Sequence, residues 1–147
     1  MPARRRIDPA AGARAVRRWA AASVRGAASA AGQAAADGPA TGRVADETAA
    51  PDRRTLATAV RFTLEELAAC APGRAVEVRV PPYGVTQAVA GTVHRRGTPP
   101  SVVETDAGTW LALATGGLAW DQAVAEGALH ASGERCDLSA YLPLLRV

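Results

Sequence analysis

The sequence predicts an α+β fold: a small, mainly antiparallel sheet with helices packed on one face. Three observations carry this. Residues 56–67 repeat apolar side chains at helical spacing, residues 76–80 alternate apolar and charged, and glycines or prolines punctuate the chain between such runs. The order read from them is helix, three strands, two helices, strand, helix.

Asp8-Pro9 is the first helix start, because Asp caps free amides and Pro suits the first helical position. Residues 9–23 then place Val16, Trp19 and Ala20 on one side, with Arg14, Arg17, Arg18 and Arg25 around the rest. Residues 26–54 contain Ala, Gly, Ser, Thr and Asp, with Val44 as the single large apolar residue. Such a stretch buries too little surface to offset its ordering entropy and is read as a disordered linker. The chain therefore divides into an Arg-rich helical arm (1–25), a linker (26–54) and a folded domain (55–147).

Within that domain, Leu56, Val60, Leu64 and Leu67 line one helix face, with Arg61 and Glu65 spaced as an i,i+4 ion pair. Pro72-Gly73 ends the helix. Val76, Val78 and Val80 alternate with Glu77 and Arg79 in a half-buried strand over 75–80. After Pro81-Pro82-Tyr83-Gly84, residues 85–94 continue as the second arm of a hairpin, with Val85, Val89 and Val93 on one face. A break at 95–100 precedes a strand at 101–105. Asp106 caps a helix stopped by Gly116-Gly117, a shorter helix covers 120–126, and a strand covers 128–132. A closing helix over 138–145 is interrupted at Pro143.

Composition restricts function. All 17 basic residues are Arg, and residues 1–25 hold seven of them against one acid, Asp8. Residues 55–147 hold seven Arg against nine acids, so the basic character belongs to the arm. The arm is compatible with transient contact with an anionic membrane. Nucleic acid is not an expected partner, since aromatic interleaving is limited to Trp19. Cys70 and Cys136 form no CxxC pair and read as free thiols in a reducing cytoplasm. No run approaches the ~20 apolar residues of a membrane span, and the N-terminus lacks a secretory apolar core.

No catalytic motif emerges. His130 and Ser132 share a strand face and Asp137 follows, but Ala131-Ser132-Gly133-Glu134 lacks the nucleophile-elbow pattern. Two histidines and two separated cysteines do not make a metal site, and no Gly-rich phosphate loop is present, so neither metal nor cofactor is expected. Val78, Val89, Trp110, Leu113, Trp120 and Val124 are candidates for an apolar ligand pocket, or alternatively for core filling. Arg95 and Arg96 are candidates to hold an acidic head group at its mouth.

Residues 102–144 resemble the C-terminal half of sterol carrier protein domains, and in particular their short bacterial orthologues. The resemblance rests on Val102-Val103-Glu104-Thr105-Asp106, on Trp110 to Gly116, on Trp120 and Ala123, on Gly127 to Gly133 and on Leu138 to Leu142. Residues 55–66, 76–84 and 96–100 look like the same group, as does the Arg4-Arg5-Arg6-Ile7-Asp8-Pro9 opening. The resemblance implies a non-enzymatic carrier that holds an acyl lipid or sterol-like molecule between sheet and helices. It also implies an alternative, because such domains resemble the accessory parts of actinobacterial thiol-dependent isomerases. In that case a filled core would serve protein interaction beside a partner enzyme. The short domain offers only four strands, so relative to the larger carriers a strand or a tunnel wall is expected to be missing, and a closed core would then replace the cavity.

Overall fold

The computed structural model describes residues 5–32, 50–91, 101–134 and 136–147. Helix α1 (Pro9–Gly32) leads to α2 (Arg53–Cys70), the hairpin β1 (Val76–Val80) and β2 (Gly84–Ala88), and β3 (Ser101–Thr105). Helices α3 (Ala107–Thr115) and α4 (Trp120–Ala125) then precede β4 (Leu129–Ser132) and a 3-10 turn, Ser139–Tyr141. The α+β class and the helix and strand order up to β4 are as the sequence predicts.

The sheet order is β2-β1-β3-β4. β1 pairs antiparallel with β2, and β3 antiparallel with β4, while β1 and β3 run parallel. Val76, Val78 and Val80 are fully buried on one face, with Val103 beside Val78. The opposite face carries Glu77, Arg79, Glu104 and His130. α2 packs on β2 and α3, and α1 lies along α2.

The helix boundaries follow local chemistry. Asp8 Oδ2 accepts the Ala11 amide, and Asp52 Oδ1 accepts that of Thr55. Asp106 Oδ1 accepts the Thr109 amide, and Gly116 closes α3 at φ 83°, a conformation suited to glycine. α1 nonetheless runs on through Gly32, and α2 starts at Arg53, so both ends of the expected 26–54 linker are helical. Alanine, the strongest helix former, carries the first extension, and the Asp52 cap sets the second. The remainder, 33–49, lies outside the described residues.

α1 also joins the domain core: Ala15 and Val16 belong to the same buried cluster as Val60 and Phe62. Gly12 makes this approach close. A Cβ there would stand 2.2 Å from Phe62 Cγ.

Two expectations are corrected. The second hairpin arm does not carry Val85 and Val89 on one face. The three-residue turn pairs Val80 with Gly84, which turns Gly84, Thr86 and Ala88 inward and leaves Val85 61% exposed. The strand stops at Ala88, and Val89 takes φ 67°. There its amide donates to Ala71 O and its carbonyl accepts from Ala75, tying the hairpin base to the end of α2. Val93 lies outside the described residues.

The closing helix is also absent from the described residues. After the 3-10 turn, the chain extends past Pro143, and the Leu144 and Leu145 amides both donate to Ala114 O. Proline cannot donate a helical hydrogen bond, and the free carbonyl near the end of α3 offers the following amides a partner.

Candidate functional site

Five of the six sequence-derived pocket candidates meet in one place. Val78, Val89, Trp110, Leu113 and Trp120 belong to a single buried cluster, in which Val78 and Trp110 have no exposed surface and Leu113 has 1%. The one polar atom of Trp110 is satisfied: its Nε1–H donates to Thr63 Oγ1 at 2.9 Å. Thr63 in turn bonds back to the Ala59 and Val60 carbonyls, one turn earlier in α2. These side chains fill space against one another. Val124 is separate, 49% exposed, on an open groove of about 550 Å³ beside β4, with Val102, Leu129 and His130. Arg95 and Arg96 lie outside the described residues.

A second groove, of about 440 Å³, was not singled out by the sequence. Its walls are Arg6 and Ile7 from the N-terminal segment, Arg61, Leu64 and Glu65 from α2, and Tyr83 to Thr86 from the hairpin. Gly84 lets the hairpin approach α2, since a Cβ there would lie 3.1 Å from Leu64 Cδ1. Arg61 and Glu65 do not form the expected ion pair. Arg61 Nε donates to Tyr83 O at 2.9 Å, which fastens α2 to the hairpin turn. Glu65 instead accepts the Arg6 amide at 3.1 Å through each carboxylate oxygen and the Ile7 amide at 3.2 Å. Arg5 reinforces the attachment through a 2.7 Å ion pair with Glu66. The only sequence signal for this contact was the Arg4–Pro9 opening, which spacing alone does not connect to α2.

Among the described residues, the remaining polar groups offer little for covalent chemistry. His130 and Ser132 are exposed on the edge strand β4, opposite Glu104 and Val102. Among the described residues, no cluster of three or more His, Cys, Asp or Glu is placed to hold a metal. Cys70 and Cys136 are free thiols. Partial burial pushes the Cys70 thiol above its usual range, opposing formation of the nucleophilic thiolate. Burial also raises the Asp106 carboxyl, but hydrogen bonds from the Thr109 amide and hydroxyl outweigh it, leaving the group below the ordinary carboxylate value. This carboxylate is a helix cap. No described helix is long and apolar enough to cross a membrane.

None of the curated proteins matches the chain. A family model described as bacterial SCP ortholog matches residues 52–144, from the cap of α2 to the segment bound at the end of α3. That span is more than half of the chain and contains the whole sheet, so the protein belongs to the bacterial sterol carrier protein ortholog family.

Proposed function

We propose that this protein binds and carries a hydrophobic small molecule, an acyl lipid or sterol-like compound, without transforming it. The observation that supports this most is the family match over 52–144. The groove between the N-terminal segment and α2 is compatible with it. Its volume falls in the ~300–1,000 Å³ range of small-molecule sites, and Ile7, Leu64 and Tyr83 are among its lining residues. Exposed Arg14, Arg17, Arg18 and Arg25 on α1 suit brief contact with an anionic bilayer during loading, in a cytoplasmic setting.

Native mass spectrometry of the protein purified from bacterial cells, followed by lipid analysis of released material, tests the reading. A stoichiometric acyl or polycyclic adduct is the expected result. A clean apo mass that persists after incubation with fatty acids and sterols would overturn it.

One observation favours a second reading. Trp110, Leu113 and Val78 are packed with at most 1% of their surface exposed in a continuous core. A filled core suits an accessory domain that acts by contact with a partner enzyme, such as a thiol-dependent isomerase. Co-purification of a stoichiometric enzyme partner with the lipid-free protein would favour this reading over carriage.

A further inference from the structure

We infer that the groove between residues 6–7, α2 and the β1–β2 turn binds the carboxylate end of an apolar acid, with Arg6 and Arg61 as its anion-binding pair. The inference rests on the carrier reading and specifies where and by what chemistry the ligand is held.

The argument begins with the partners Arg61 does not have. On α2, Glu65 sits one turn away and is the natural ion-pair partner. It is committed elsewhere, by hydrogen bonds to the Arg6 and Ile7 amides. Arg61 spends Nε on the Tyr83 carbonyl, which fixes the guanidinium plane at the groove. Its two terminal amino groups have no hydrogen-bond or ion-pair partner among the described residues. Those donors form a planar fork of the kind that matches a carboxylate. Arg6 lines the same groove, and its side chain likewise has no partner among the described residues.

The charge in the groove selects the head group. Two arginines and one glutamate, Glu65, line the groove, so its lining residues carry a net single positive charge. A monoanion neutralises it, whereas a dianion leaves an excess negative charge beside Glu65. Half-buried Ile7 and half-exposed Tyr83 adjoin the arginines above buried Leu64, giving an alkyl tail somewhere to lie.

The test uses the full chain and two probes with one tail: dodecanoate and dodecan-1-ol, each titrated calorimetrically below its aggregation concentration. Dodecanoate is expected to bind about tenfold tighter than the alcohol, the increment of a charge-assisted hydrogen bond. Arg61→Gln and Arg6→Gln are each expected to weaken dodecanoate about fivefold or more and to leave the alcohol unchanged. Amide resonances of Ile7, Gly84 and Val85 should shift on titration. Arg61→Gln also breaks the bond to the hairpin turn, so Arg6→Gln, exposed and without a side-chain partner, decides the matter if the first variant misfolds. Equal binding of both probes, unaffected by either substitution, would overturn the head-group assignment while leaving carriage standing. Binding of neither probe would overturn the head-group assignment and, with it, the acyl-lipid form of the carrier reading.

Discussion

Thr63 and Trp110 meet in the interior through a 2.9 Å hydrogen bond from the indole N–H to the threonine hydroxyl, linking α2 to α3. Both residues are fully buried. The hydroxyl can accept from the indole because its own proton is directed to the carbonyls of Ala59 and Val60. Thr63→Val preserves shape but leaves the indole N–H without a partner and out of reach of water. Chemical denaturation should show a loss of about 1–3 kcal/mol. Adding Trp110→Phe removes the stranded donor as well, so the double variant should lose less than the two single losses combined.

Gly12 offers a reversal of the usual helix rule. In an exposed helix interior, Gly→Ala stabilises by about 1 kcal/mol. Here the new methyl would enter the space of Phe62, with Cγ at 2.2 Å and Cβ at 2.7 Å. Those atoms lie near the ring's attachment to the backbone and cannot swing aside as a flexible chain end does. Gly12→Ala should therefore destabilise by about 1–3 kcal/mol in urea unfolding. Trp19, half-buried against the core, should report the shift of α1 by a red-shifted emission.

Glu65 anchors the N-terminal segment by accepting main-chain amides. Glu65→Ala should speed hydrogen exchange at the Arg6 and Ile7 amides by about tenfold or more, with a global stability loss of only about 0.5–1.5 kcal/mol. Unchanged exchange at both amides would show that the segment is held by other means.

Acid sensitivity follows from the caps. Hydrogen bonds from Thr55 lower the Asp52 carboxyl and those from Ser139 lower Asp137, while Asp106 is lowered by Thr109 against its burial. A carboxyl depressed in the folded state binds its proton first in the unfolded chain. Its contribution is complete above the reference value of 3.8 and is lost as pH falls through the folded value. Asp106→Asn retains a capping oxygen but cannot titrate. It should be less stable than the parent by up to about 1 kcal/mol near neutral pH, and the gap should close as pH falls below the reference carboxylate value. Urea midpoints measured across that range provide the comparison.

The sequence by itself determined most of the elements and one face of the sheet. The Val76, Val78 and Val80 alternation is local and survives folding because burial on one face rewards a period of two. Asp106 and Gly116 likewise marked the limits of α3 through bonds made within a few residues of themselves. Family membership was legible for the same reason: ordered runs of such local signals persist along 52–144.

Only the tertiary structure decided the rest. Val85 carried the same β-forming chemistry as Val89, yet the hairpin pairing placed it outward, because strand parity depends on how the turn closes. Trp110 and Val124 were equally plausible pocket residues in one dimension. One found Thr63, 47 positions away, and became core; the other remained on the surface. The separation of Arg61 from Glu65 is the clearest case. Their spacing permits a pair, but the Tyr83 carbonyl and the Arg6 and Ile7 amides are brought to them by folding. A hydrogen bond between a charged side chain and a main-chain group returns about 1.5–3 kcal/mol, more than the ~0.3–0.5 kcal/mol of an exposed i,i+4 ion pair, so those long-range bonds win.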